Sequence, residues 1–194
     1  MNNGRDLAMR DEDALALTSV LAPPLVALRS WNELSGKIPF DEINQNTQRL
    51  APLIYCNLRT LGAFPERARL RGAYKYTWSK TVRLIHSLQP LLSDLDAQKI
   101  DYRVIKGLAI QLMLGGVGTR IMGDVDLLVG EDSIQQTLEV VVRHGFRQDE
   151  RVACSGHTVS DHYLDLNFSR GETHLDIHVA EHNHPAKLLT QIMD

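Results

Sequence analysis

The sequence predicts an α+β fold: a helical N-terminal region, residues 1–100, packed on a minimal α/β domain with a small mixed sheet, residues 101–194. Three observations carry this expectation. Before residue 100, apolar residues recur at three- and four-residue spacing between proline and glycine breaks, which is helical periodicity. At Ile100-Asp101-Tyr102-Arg103-Val104-Ile105 the pattern changes to a short β-branched and aromatic run, as strands prefer. Near the end, Thr173 to Val179 alternates strictly between polar and apolar residues, as a half-buried strand does.

Each element follows in order. The first ten residues are polar and expected to fray. The acids Asp11, Glu12 and Asp13 then open a helix through Leu21, since carboxylates favour a helix N-terminus, and Pro23-Pro24 ends it. A second helix covers Leu25 to Leu34, a turn passes through Gly36 and Pro39, and a third helix runs from Asp41 to Leu61 with Pro52 as its weak point and Gly62 as its stop. From Pro65 a long helix places Leu70, Tyr74, Thr77, Thr81, Leu84 and Leu88 on one stripe, with Pro90 as a point of bending before Lys99. After the strand at Ile100 to Ile105, Lys106-Gly107 breaks the pattern and Ala109 to Leu114 reads as a helix. Gly115, Gly116 and Gly118 form a loop, and Asp124 to Val129 is an apolar strand carrying two acids. Asp132 or Ser133 caps a helix to Arg143 that stops at Gly145. Tyr163 to Ser169 and Thr173 to Glu181 pair as a hairpin across Arg170-Gly171-Glu172.

Composition excludes several function classes. With 43% apolar and 23% charged residues the chain reads as an ordinary globular protein. A net charge of -3 and a pI near 6.2 argue against coating nucleic acid or membrane by bulk charge, so any nucleic-acid contact must be local. Cys56 and Cys154 form no CxxC pair, no apolar run approaches the roughly 20 residues of a membrane span, and the cytoplasm is the expected compartment. Arg67, Arg69, Arg71, Lys75, Lys80 and Arg83 crowd the long helix together with Tyr74, Tyr76 and Trp78. Such a run serves either as a solvated face or as a surface for phosphates and bases. The histidines His157, His162, His174, His178, His182 and His184 match no zinc spacing.

The chemistry concentrates in Gly123-Asp124-Val125-Asp126-Leu127-Leu128-Val129. Two acids two residues apart on a strand project from the same face, where their charges disfavour one another unless a divalent cation sits between them. An exposed strand face with both acids in water is the plainer alternative. A third acid, Asp176, shares a face with His174 and His178, while Leu175, Ile177 and Val179 take the other. Should that strand lie beside the first, three carboxylates converge in the arrangement that holds two metal ions about 4 Å apart. Val104-Ile105-Lys106-Gly107 runs from strand to helix, where backbone amides can approach a phosphate or where glycine simply serves the turn. Arg120, four residues before Asp124, suits either a phosphate or a structural ion pair.

From Leu50-Ala51-Pro52-Leu53-Ile54-Tyr55 through Lys106-Gly107, Arg120-Ile121-Met122-Gly123-Asp124-Val125-Asp126-Leu127-Leu128-Val129 and Gly145-Phe146 to Leu175-Asp176-Ile177-His178, the chain resembles a family of uncharacterised bacterial nucleotidyltransferases. The resemblance covers about residues 14 to 182. More distantly the chain is similar to the nucleotidyltransferase toxins of abortive-infection systems, within the DNA polymerase β-like superfamily. The resemblance implies that Asp124 and Asp126 ligate Mg²⁺ or Mn²⁺, that Asp176 is the third carboxylate, and that the turn at Gly107 holds nucleotide phosphates. Lys106 and Arg120 are candidate nucleotide contacts beside it, Lys106 alternatively covering apolar surface with its stem. Leu108 departs from the wider pattern, which places Ser or Gly after the turn glycine. The expected reaction moves a nucleoside monophosphate from an NTP to an RNA end, a protein side chain or a small molecule. The alternatives are a degenerate nucleotidyltransferase fold that binds a nucleotide or partner without turnover, motivated by Leu108 and by the short segment after Asp176, and a helical adaptor, favoured only if Asp176 lies far from the acid pair.

Overall fold

The computed structural model describes residues 10–113, 116–149 and 163–180. The expectations for the first nine residues, for Cys154 and for His157, His162, His182 and His184 lie outside the described residues. The fold is mixed α+β, with N-terminal helices followed by a five-stranded sheet and its interleaved helices. The described residues form two compact units. One runs through Thr81 and takes in Val117–Ile121; the other comprises Val82 onward without that loop.

The first unit is helical. Helix α1 spans Asp11–Leu21 and α2 spans Pro24–Lys37. Pro24 therefore opens a helix rather than merely ending one, because a first-turn amide needs no partner and the ring presets the backbone angle. The expected helix from Asp41 to Leu61 is in three pieces, one break falling at the expected weak point, Pro52: a 3-10 turn at Phe40–Glu42, α3 at Gln45–Arg49 and α4 at Ala51–Leu58. Two local causes separate them. The Asn44 side chain accepts from the Thr47 amide at 2.9 Å, capping α3, and Pro52 fits only the first turn of α4. Ala16, Ala27, Trp31, Leu34, Ile43, Ala51, Ile54, Leu58 and Leu70 close the core of this unit.

Helix α5, Arg67–Ala97, runs unbroken through Pro90. It ends as helices often do at a left-handed residue, here Lys99 with φ 58°. The Ile100 amide reaches back to the Leu95 carbonyl at 3.0 Å and the Lys99 amide to that of Asp96 at 3.0 Å. Strand β1 is Tyr102–Ile105, α6 Lys106–Met113, β2 Asp124–Gly130, α7 Ile134–Arg143, β3 Arg147–Gln148, β4 Tyr163–Arg170 and β5 Thr173–Ala180. Ser133, the residue before α7, makes no side-chain cap hydrogen bond, and residues 131–133 form a 3-10 turn that feeds directly into the helix. Gly145, at φ 81°, is the expected stop.

The sheet order is β1-β2-β5-β4-β3. Strands β2 and β5 are parallel, and the other pairs are antiparallel. One face carries Val125, Leu127, Val129, Phe168, Leu175, Ile177 and Val179, which join Leu88, Leu91 and Leu95 of α5, Leu108 of α6 and Val140 and Val141 of α7 in the second core. The sheet is thus apolar on one side only, and its other face is left to the acids. Among the described residues no helix is long and apolar enough to cross a membrane.

Candidate functional site

The β2–β5 register decides the site. It sets Asp126 opposite Asp176, Asp124 opposite His174 and Leu128 opposite His178. Partners in adjacent parallel strands project from the same face, and the strands lie about 4.8 Å apart. Asp124, Asp126 and Asp176 therefore share one small area of the polar face, with Asn167 of β4 next to Asp176 on the far side. The structure brings these three expected residues together.

Lys106 joins them by an unusual route. Its predecessor Ile105 pairs with Asp126, so strict alternation would send residue 106 to the opposite face. Lys106 instead adopts φ 52° at the first position of α6. That left-handed turn costs a non-glycine residue about 1–2 kcal/mol, and it ends with the ammonium donating to Asp126 Oδ1 at 2.6 Å. The turn's special backbone angle belongs to Lys106 and not to Gly107, which is buried within α6. Leu108 is 4% exposed and belongs to the core, so its side chain is a packing element of the turn.

His178 completes the cluster. Its Nε2 lies 2.9 Å from Asp126 Oδ1 and 3.0 Å from Lys106 Nζ. A single ring nitrogen can donate to the carboxylate or accept from the ammonium, not both, and the firm interaction is the Lys106–Asp126 ion pair. The strict alternation of β5 already placed His178 on the face of Asp176. What it lacked was the register that slides it beside Asp126.

The electrostatics divide the acids. Burial pushes the Asp126 carboxyl up, but hydrogen bonds from Lys106 and His178 and their charges outweigh it and hold the group below its usual range. Asp176 goes the other way. Burial raises it first, then the charges of Asp124 and Asp126, with His178 and Lys106 opposing only in part. An all-oxygen set of carboxylates whose members repel one another has the donor chemistry of a hard divalent cation site. Among the described residues no three His, Cys, Asp or Glu are gathered as a ready-made cation cage; one Asp126 oxygen is already committed to Lys106. The set fits such an ion by its chemistry, provided Lys106 yields that oxygen.

Arg120 is exposed on the Val117–Ile121 loop, which groups with the first unit. Gly118 in that loop, at φ +88°, presses on α5: a Cβ there would lie 2.6 Å from the Trp78 Cα and Cβ. Residues 45–192, more than half of the chain, match the family described as uncharacterised nucleotidyltransferase. No curated protein matches the chain.

Proposed function

The chain belongs to this nucleotidyltransferase family, and from that premise we propose that it moves a nucleoside monophosphate from an NTP to an acceptor nucleophile. The acceptor oxygen or other nucleophile bonds to the α-phosphorus, the bond from that phosphorus to the β-phosphate bridge breaks, and pyrophosphate leaves with the electron pair. The single observation that carries this reading is the register that sets Asp126 beside Asp176, with Asp124 on the same face.

Asp124, Asp126 and Asp176 would hold Mg²⁺ or Mn²⁺, which when bound supplies charge neutralisation on the phosphates and acidifies an attacking hydroxyl. Lys106 has a side chain 57% exposed, so its flexible stem lets the ammonium move from Asp126 to a phosphate oxygen. Gly107 and the first amides of α6 offer main-chain donors to the triphosphate. Asp176 would either ligate a second metal ion or receive the acceptor's proton.

A second reading, a nucleotide- or partner-binding module without turnover, is favoured by two observations. The side chain after Gly107 is a buried leucine in place of a hydroxyl, and Lys106 already holds Asp126. Pyrophosphate release from each of the four NTPs, with total RNA and with protein extract as acceptors, separates the two readings. The Asp124→Asn/Asp126→Asn variant serves as the blank. Release above the blank supports the transferase. NTP binding without release leaves the binding module. A chain that neither binds NTP nor releases pyrophosphate sinks both.

A further inference from the structure

The long helix α5 contains no Asp or Glu between Arg67 and Ser93, in a chain whose net charge is -3. Its cations are thus segregated and not part of an even surface mixture. Two of them serve the fold. Arg67 hydrogen-bonds the Leu61 and Gly62 carbonyls and lies over Phe64. Arg69 pairs with Asp41 at 2.9 Å and with Glu66 at 3.4 Å.

The next three cations are not spent in this way. Arg71, Lys75 and Lys80 are exposed and make no ion pair or side-chain hydrogen bond among the described residues. Helical spacing puts Arg71, Lys75 and Trp78 on one outward stripe and Tyr76 with Lys80 on the adjoining one. Trp78 is 46% and Tyr76 61% exposed, although Thr77 and Thr81 on the same helix turn inward and are buried. Two aromatic rings thus stand open to solvent beside three exposed cations on one side of the helix. The Gly118 contact also lays the Val117–Ile121 loop, with Arg120 two residues on, against the backbone of Trp78.

We propose that this outward face of α5, Arg71, Lys75, Tyr76, Trp78 and Lys80, binds single-stranded nucleic acid. The occupant is chosen by chemistry. Cations on a helix face meet backbone phosphates, and exposed Trp and Tyr rings stack on bases, which only an unpaired strand presents. An acidic protein surface would use the cations but give the two rings no comparable partner.

Fluorescence anisotropy of the full chain with labelled single-stranded RNA and DNA oligonucleotides tests this, with inorganic polyphosphate as a polyanion that has no bases. Wild type is expected to bind one or both strands, whichever is tighter identifying the preferred sugar. Three phosphate contacts imply a weakening of roughly 20-fold between about 50 and 200 mM salt. Arg71→Glu/Lys75→Glu should abolish binding. Trp78→Ala keeps the Cα and Cβ against which Gly118 rests, and it and Tyr76→Ala should each weaken nucleic acid by about fivefold or more while leaving polyphosphate binding unchanged. Unaltered melting curves for these variants keep the comparison valid; a variant that melts early is replaced by Trp78→Leu or Tyr76→Leu. The proposal is overturned if neither strand binds, or if polyphosphate binds as tightly and both ring variants are silent. Strand binding with no pyrophosphate release would retire the transferase reading and keep the interface, whereas release without strand binding would do the reverse.

Discussion

Asp126 and Asp176 are neighbours across one parallel strand pair, yet the protein pushes their protonation in opposite directions, and stability should show it. For Asp126 the folded value is depressed, so its ion pair contributes above the ordinary carboxylate range and the contribution is lost as pH falls through the depressed value. For Asp176 the folded value is raised, so the folded state binds the extra proton and its ionised form is a liability at neutral pH. Asp176→Asn is therefore expected to melt higher than wild type at pH 7, with the advantage shrinking as pH falls through the raised value of Asp176. Thermal melts across that range measure it, and a variant that melts lower at pH 7 contradicts the assigned repulsion. Lys106 carries a second prediction because it combines an ion pair with a left-handed backbone at φ 52°. Lys106→Ala loses the pair and keeps the strained turn; Lys106→Gly loses the pair and relieves it. Both should be less stable than wild type, by about 1–3 kcal/mol for the alanine variant, whose Asp126 loses a charged partner. The glycine variant should be the more stable of the two by about 1 kcal/mol. Urea unfolding that ranks alanine above glycine would show that the turn is not held as described.

At the scale of elements, what the sequence discloses and what it hides have separate physical causes. The alternation of β5 and the paired acids of β2 are local patterns, so the faces of both strands were legible, as were the α5 stripe and the Gly145 stop. Register is not local. That Asp126 meets Asp176, and that His178 slides beside Asp126, depends on two strands far apart in sequence becoming parallel neighbours. The expected helix over Asp41 to Leu61 breaks at its weak point, Pro52, and also where spacing carries no warning: Asn44 is a start signal within a run whose apolar spacing alone looks continuous. Strand β3, Arg147–Gln148, is too short to carry any periodicity. The sequence marks Gly118 only as part of a glycine loop, whereas its place against Trp78 makes it a fixed contact. Gly118→Ala meets both a left-handed backbone and a Cβ 2.6 Å from helix backbone, which cannot withdraw as a side-chain tip would. The cost should be about 2–4 kcal/mol, read from chemical unfolding. A near-neutral substitution would mean that this loop does not press on α5.

At the scale of the whole molecule, the two units differ in what they can report. Both tryptophans of the chain, Trp31 and Trp78, belong to the helical unit, and the unit with the sheet has none among its residues. The carboxylate site is on that sheet. A ligand held only by the folded state raises its stability by mass action, by about 2.7 kcal/mol at a hundred times its Kd, or roughly 5–10 °C for a chain of this size. Mn²⁺ together with an NTP should therefore raise the calorimetric transition of wild type, and Asp124→Asn/Asp126→Asn should remove the rise. Mn²⁺ alone should act more weakly, because Lys106 already holds an oxygen of Asp126 and an NTP gives its ammonium somewhere else to go. Tryptophan fluorescence recorded in the same experiment then reads the other unit. If it shifts with the calorimetric transition, the units unfold as one, and occupancy of the sheet stabilises a helical unit that contains none of the three carboxylates. If calorimetry shifts and fluorescence stays, the units melt separately and the site acts only on its own core. If neither moves with metal and NTP at saturation, the three carboxylates hold no cation, and their convergence has to be explained without one.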